Sequence, residues 1–396
     1  MREAVIVEAV RSAVGKRAGA LAGWHPADLL GHVLTGLVER AGIDPGRVDD
    51  VIGGCVDQVG EQALNVTRNA WLGAGLPESV PATTVDRQCG SSQQAVHFAA
   101  QGVLAGAYDV AIACGVESMT RVPMLSNTIG QNPFGERMAA RYAGGLVPQG
   151  ISAEMIAARW GVTRDEADRL ALTSHRRAAA TAADGGFRQE ILPVKVTRPD
   201  GSVAEFADDE GIRADSTPEA LAGLRPAFRT DDLAAAHPEL SWVVTAGNAS
   251  QISDGAAALL VMSREAAAEL GLTPRWRVHS FALAATDPVL MLTGPIPATA
   301  SALEKAGLTV DDIDHFEINE AFATVVAAWL RETGADPDRV NPRGGAIALG
   351  HPLGGSGARL FTTMLHALEQ TGGRYGLQAM CEGGGQANAT IVERLG

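Results

Sequence analysis

The chain repeats itself at long range, and this constrains its fold more than any other feature. Ala41-Gly42-Ile43 and Ala306-Gly307-Leu308 open segments that align without a gap at an offset of 265 residues, from Ala41 to Ala306. Within them Val48-Asp49-Asp50-Val51-Ile52 lies against Ile313-Asp314-His315-Phe316-Glu317. Both segments read as a helix end stopped by glycine, an Asp-rich turn and a short strand. Further along, Tyr108-Asp109-Val110-Ala111-Ile112-Ala113-Cys114 aligns with Tyr375-Gly376-Leu377-Gln378-Ala379-Met380-Cys381 at an offset of 267, from Tyr108 to Tyr375. Each of these strands follows a Gly/Ser-rich turn and a long helix, 90–104 in the first copy and 354–368 in the second. Two matches in the same order at nearly equal offsets indicate duplication. The repeated unit alternates strands with helices and closes on two strands, which predicts mixed sheets with helices on their faces.

The copies differ in one place. In the second, the last strand (387–393) follows Cys381 directly, whereas its counterpart in the first (256–262) lies far downstream of Cys114. An insertion separates them. The expected division is therefore 1–118 plus 248–270 as the N-terminal core half, 119–247 as an inserted loop domain, and 271–396 as the C-terminal core half. Within the insertion a charged, helix-like run extends from Ser152 to Ala183, and Thr163-Arg164-Asp165-Glu166 inside it has the form of a capping box. Such a segment is expected to lie over one face of the core, where substrate loops normally sit.

Composition narrows the function. The net charge of −14 argues against nonspecific binding to nucleic acid or an anionic membrane, while leaving room for a local basic pocket. The four cysteines form no CxxC pair and no His/Cys cluster at metal-ligand spacing, so no metal site and a reduced, cytoplasmic protein are expected. The N-terminal run 4–10 is interrupted by Glu8 and lacks a basic leader, unlike a signal peptide. The longest apolar stretch, 321–330, is far shorter than the ~20 residues of a membrane span. Glycine is abundant, 46 of 396 residues, which implies many tight turns and close backbone approaches.

Four segments could carry chemistry. Asp86-Arg87-Gln88-Cys89-Gly90-Ser91-Ser92 follows a strand and opens a helix. A cysteine there lies at the positive end of the helix dipole, where a thiolate is stabilised; the competing reading is a small buried residue at a turn. Asn341 to Gly357 is glycine-rich and carries His351 ahead of a helix, in the region of the second copy that corresponds to Cys89. A His beside a Cys activates the thiol, although a His before Pro is also an ordinary turn residue. Cys381-Glu382-Gly383-Gly384-Gly385 ends a strand, and its glycines could aim backbone N–H groups at an oxyanion. Asn319, in Ile318-Asn319-Glu320-Ala321-Phe322, reads either as a helix N-cap or as a polar group holding a water. Cys55 and Cys114 lack such surroundings and read as structural.

Together with Thr-Ala-Gly-Asn-Ala-Ser (245–250) and Asp-Gly-Ala-Ala-Ala (254–258), these motifs resemble the thiolase family along essentially the whole chain. The resemblance implies a thiolase fold, two duplicated βαβαβαββ halves in five-layer α/β/α/β/α packing with an inserted loop domain. It implies an acyltransferase that moves acyl groups between CoA thioesters. Cys89 would be acylated, His351 would take its proton and help bind a thioester oxygen, and Cys381 would be the acid/base at the α-carbon. Asn319 would hold a water that forms one oxyanion hole with His351, and the N–H groups of Cys89 and Gly383 would form the second. Ser250, Arg213, Met291 and Phe322 would contact CoA or the acyl group. The implied partners are acyl-CoA and CoA as substrates, with no permanently bound cofactor, no metal, no nucleic acid and no membrane. A homodimer or homotetramer is implied, with Ser118 to Gly145 as a candidate for the deciding contacts.

Two departures from the biosynthetic members bear on substrate choice. Glu382 follows the second cysteine where an Ile or similar residue is usual, and Val147-Pro148-Gln149-Gly150 lacks the His-Met pair often found there. These features are similar to those of actinobacterial thiolases, some of which serve lipid or steroid catabolism. A ketoacyl synthase or hydroxymethylglutaryl-CoA synthase would pair the cysteine with other bases, a non-catalytic acyl-CoA binder would have lost a catalytic side chain, and a Cys-His hydrolase would leave the Cys381 motif without a role.

Overall fold

The computed structural model describes residues 2–198 and 200–396. The first half runs Ala4–Ser12 (β1), Pro26–Ala41 (α1), Asp50–Gly54 (β2), Val66–Gly73 (α2), Ala82–Val85 (β3), Ser91–Ala105 (α3) and Val110–Ser118 (β4). An excursion then carries the helices Gln149–Trp160 (α4) and Arg164–Ala183 (α5) before Ser253–Ser263 (β5) completes the half. The second half runs Trp276–Ala285 (β6), Pro295–Ala306 (α6), His315–Ile318 (β7), Ala323–Thr333 (α7), Ser356–Thr371 (α8), Tyr375–Glu382 (β8) and Gln386–Arg394 (β9).

Strand pairing shows the repeat directly. Outward from the centre, the first half pairs in the order β1-β5-β4-β2-β3 and the second in the order β6-β9-β8-β7. Beyond β7, Phe316 makes a parallel bridge to Val340, in the place that β3 holds in the first half. Directions agree as well: β5 and β9 are antiparallel to both neighbours, while β2/β4 and β7/β8 are parallel. The halves touch edge to edge where β1 meets β6, at Val5–Arg277 and Ile6–Trp276.

Three apolar clusters define the layers. Leu30, Val33 and Leu37 of α1 and Trp71 of α2 cover one face of the first sheet, against Val51, Ile112 and Leu260. Val96, Ala99 and Val103 of α3 pack with Phe361, Leu365 and Leu368 of α8 in the middle, against Ile6, Leu259 and Val392. Ala298 and Ala302 of α6 and Val326 and Trp329 of α7 close the far side, over Phe316, Leu377 and Ile391. The result is the five-layer α/β/α/β/α stack that the resemblance implied.

Local signals explain most helix ends. Helix α1 starts with Pro26, capped by His25 Nδ1 accepting from the Ala27 N–H at 3.2 Å, and ends at Gly42 with φ 67°. The helix-like run 152–183 is not continuous, because Gly161 adopts φ 64° and divides it into α4 and α5. Thr163 then caps α5, its hydroxyl accepting from the Glu166 N–H at 3.2 Å.

A buried ion group fastens the excursion to the core. Arg11 on β1 donates to Glu190 at 2.6 Å and to both oxygens of Asp209 at 2.7 and 2.8 Å. Thr363 on α8 also donates to Glu190, at 2.8 Å. Arg11→Ala would leave two buried carboxylates uncompensated, so it is expected to cost about 3–5 kcal/mol. Urea denaturation would measure this; an unchanged midpoint would mean that the group contributes nothing to stability.

Candidate active site

Cys89 sits in a turn between β3 and α3 that side chains hold closed. The Gln88 N–H donates to Asp86 Oδ1 at 2.6 Å, the Arg87 N–H donates to Ser91 Oγ at 2.9 Å, and the Ser91 hydroxyl donates to the Gln88 carbonyl at 2.5 Å. Gln88 is forced to φ 48°, an uncommon conformation for a residue with a Cβ. The thiol it presents is buried. Burial raises the Cys89 pKa well above the ordinary range, and the neighbouring Cys381 and Glu382 raise it further. The expected stabilisation of a thiolate by the helix N-terminus is therefore outweighed in the free protein.

The second half supplies the other groups from two loops and the end of β8. His351 follows Gly350, whose φ of 95° excludes most side chains. Its Nδ1 lies 2.6 Å from Ser356 Oγ, and the Ser356 hydroxyl donates to the Pro352 carbonyl at 3.0 Å. This pattern assigns the proton to Nδ1, which donates to the hydroxyl oxygen, and leaves the Nε2 lone pair as an acceptor. Burial, with the charge of Arg359 adding to it, lowers the His351 pKa to about 3, so the imidazole is neutral.

Asn319 lies between His351 and Cys381. Its Nδ2 is 3.4 Å from His351 Nε2 and 4.0 Å from Cys381 Sγ. Asn319 is not a helix cap, because the chain runs on through Glu320 and Ala321 before α7 starts after Phe322. Its Oδ1 is buried and has no hydrogen-bond partner among the described residues. The Cys381 thiol is pushed up to about 12, chiefly by burial, with the Asn319 contact acting in the opposite direction. Gly383, two residues on, lies beside the turn of Cys89: a Cβ there would be 2.9 Å from Gln88 Oε1.

The remaining predicted residues divide. Met291 and Phe322 share an apolar cluster with Cys381, which also takes in Ala153 and Ile156 of α4 and Val243 and Val244. Ser250 is half-buried next to them, its N–H donating to the Ala321 carbonyl at 2.9 Å. Arg213 stands apart on an exposed loop, tied by its backbone N–H to His175 Nδ1 at 3.1 Å. Cys114 lies in the outer cluster beneath α1, and the Cys55 thiol donates to Glu117 at 3.6 Å.

Several residues hold the site in ways that the sequence alone does not show. Glu320 accepts from Ser174 at 2.6 Å, from Asn341 Nδ2 at 2.9 Å and from the Ile347 N–H at 3.1 Å, locking the loops that carry Asn319 and His351. Glu117 accepts from the N–H groups of Val56, Asp57 and Gly354 at 2.9, 3.1 and 2.8 Å, joining the two halves. Ser356 had a visible clue in its position five residues after His351 at a helix start, but its contact with the imidazole did not follow from that. Among the described residues, no group of three or more His, Cys, Asp or Glu could hold a metal ion, and no helix is long and apolar enough to cross a membrane.

A buried thiol pair, a neutral imidazole and an amide between them are equipped for acyl transfer with carbanion chemistry. Comparison with known proteins agrees. Residues 4–265 match the thiolase N-terminal domain and residues 272–394 the thiolase C-terminal domain. The chain is 53% identical to the steroid 3-ketoacyl-CoA thiolase of Mycobacterium tuberculosis, over 100% of this chain and 95% of that protein. It is 43% identical to the 3-ketoacyl-CoA thiolase of Pseudoalteromonas translucida, with 100% of both covered. The crystal structure of Bacillus anthracis acetyl-CoA acetyltransferase superposes with a TM-score of 0.89 at 38% identity, covering 100% of this chain and 99% of that one. The chain belongs to the thiolase family. It is an acyltransferase, and its chemistry is the transfer of acyl groups between thioesters.

Proposed function

We propose that the protein degrades 3-ketoacyl-CoA, transferring its acyl group through Cys89 to free CoA. The observation that carries the acyl-transfer chemistry, in either direction, is the position of Asn319 Nδ2 between His351 Nε2 and Cys381 Sγ. In thiolysis the Cys89 sulfur attacks the 3-keto carbon while its proton passes to the His351 Nε2 lone pair. The C2–C3 bond breaks, the electron pair enters the acetyl-CoA enolate, and Cys381 protonates its carbon. CoA then displaces the acyl group from Cys89. The N–H groups of Cys89 and Gly383 face the charge at one thioester oxygen, and His351 with a water on Asn319 faces the other. Two thiols are needed because a sulfur that carries the acyl group cannot also move the α-proton. The reverse condensation uses the same groups.

Met291 and Phe322 are assigned to the acyl or pantetheine channel, and Ser250 to CoA. Arg213 is assigned to the outer, phosphate-bearing part of CoA, which suits its exposure. A groove of about 440 Å³ is lined by apolar Met155, Ala158, Leu240, Val289 and Leu290 and by charged Arg159, Glu239 and Asp287. The similarity to a steroid 3-ketoacyl-CoA thiolase favours a bulky acyl group. Residues 119–247 are assigned as the loop domain over this site, between core halves 1–118 plus 248–270 and 271–396. We further assign a cytoplasmic homo-oligomer with no permanent cofactor; the exposed Met124, Leu125, Ile129 and Phe134 support contacts between copies through segment 118–145.

CoA-dependent cleavage of acetoacetyl-CoA and of longer or branched 3-ketoacyl-CoAs tests the reading, and folded protein that cleaves none of them would refute it. Ser356→Ala removes the acceptor that fixes the His351 tautomer. A hydrogen bond worth ~1.4 kcal/mol corresponds to about a tenfold fall in kcat/KM, with Ser356→Thr restoring most of it. An Ala variant at the wild-type rate would deny Ser356 this positioning role.

A further inference from the structure

Glu382 has no part in the chemistry above, yet it stands at its centre. It follows Cys381 at the end of β8, and its Oε1 packs so tightly on Gly90 that a Cβ at Gly90 would collide with it. Glu382 is fully buried, and neither carboxyl oxygen has a hydrogen-bond partner among the described residues. An ionised carboxylate in that position would lose its hydration without replacement. Facing it are Arg87 and Asp86 from the turn before α3, Cys89 within that turn, and Cys381 on its own strand. The paired strand β9 contributes Gln386 and Asn388, which carry no charge. Both are engaged elsewhere, since Arg87 Nη1 donates to Gln386 at 3.1 Å and Asn388 Nδ2 donates to the Gly90 carbonyl at 2.9 Å.

Burial, opposed by Arg87 and reinforced by Asp86, raises the Glu382 pKa to about 8. At neutral pH the side chain is therefore mostly a neutral acid. Once ionised, its charge raises the pKa of both Cys89 and Cys381.

We propose that Glu382 is a positioning residue for the thiol pair: as a neutral acid it packs against the Cys89–Gly90 turn, and on ionisation it opposes thiolate formation at Cys89, limiting acyl transfer on the alkaline side. This rests on the acyl-carrier role proposed for Cys89. The sign follows from the order of events. Rising pH favours the Cys89 thiolate, but it also removes the proton from Glu382, and the new charge pushes the thiol pKa further up. A side chain that is neutral at every pH lacks this opposition.

The test is the rate of Cys89 alkylation by iodoacetamide, read by mass spectrometry from pH 6 to 10, in the full-length protein and in Glu382→Gln and Glu382→Leu. Rates should agree at pH 6, and both variants should react about three- to tenfold faster than the wild type at pH 9. Superimposable curves in either folded variant would overturn the proposal, as would failure of both variants to fold, which would assign Glu382 to packing alone. Acetylation of Cys89 by acetyl-CoA in the wild type tests the carrier role separately, because alkylation does not depend on turnover.

Discussion

Cys89→Ala is expected to abolish acylation by acetyl-CoA and to lower thiolysis by at least about 10⁴-fold, because it removes the sulfur assigned to carry the acyl group. Cys381→Ala separates the two thiols. It retains the nucleophile and its turn, so it should still acquire an acetyl group at Cys89. It lacks the group assigned to exchange the α-proton, and both carbon–carbon cleavage and condensation should fall by roughly 10²–10⁴-fold. Mass spectrometry of the acetylated protein, alongside assays in each direction, distinguishes these losses. If both variants acetylate equally, or neither does, the roles assigned to the two cysteines are wrong. The buried surroundings of both thiols set the background reactivity: with each pKa raised, neither is a standing thiolate at neutral pH. In the proposed mechanism, acylation then depends on proton transfer to His351 as the bond forms.

Gly54→Ala is expected to destabilise the protein by about 3 kcal/mol or more. Gly54 ends β2 at the point where the backbones of both halves converge. A Cβ there would enter the start of α3, 2.5 Å from the Ser91 carbonyl carbon and closer still to the Ser92 nitrogen, with the Gly354 carbonyl oxygen at 2.7 Å on the other side. These are backbone atoms of fixed elements and cannot turn aside as a flexible side chain would. Gly73, at the end of α2, is the control, because a Cβ there meets nothing within 4 Å. Gly73→Ala should leave stability unchanged or raise it by up to ~1 kcal/mol. Chemical denaturation of both variants measures the contrast, and equal midpoints would mean that the convergence at Gly54 relaxes without cost.

The duplication is legible in the sequence because its signals are local: Gly42 and Gly307 each stop a helix, and Tyr108 and Tyr375 each open a strand segment. The motifs around Cys89, Asn319, His351 and Cys381 are legible for the same reason, since each is a short contiguous run. What escapes is whatever depends on distant partners. Glu117 looks like any carboxylate after a strand until Gly354, more than two hundred residues away, donates its N–H to it. The division of 152–183 turns on Gly161 leaving the helical region, and a glycine inside a charged helical run does not declare that in advance. Asn319 looks like a cap because an apolar helix follows, yet the chain delays that helix past Phe322, and the amide remains beside His351 and Cys381. The dipole at α3 suggests an acidic thiol, but the depth of burial that overrides it is a property of the whole stack.

The pairing order that both halves share bears on descent. A chain in which β1-β5-β4-β2-β3 recurs as β6-β9-β8-β7 has the form of two subunits fused into one, so the ancestral enzyme would have been a symmetric pair with two equivalent clefts. The residues assigned to catalysis gather at one of the two related strand ends. Cys114, the counterpart of Cys381, lies sealed beneath α1, and the Glu117 network occupies that end of its strand. Selection on the two copies would then have become unequal after fusion: one strand end kept the thiol and glycine run assigned to catalysis, and the other was released to serve as mortar.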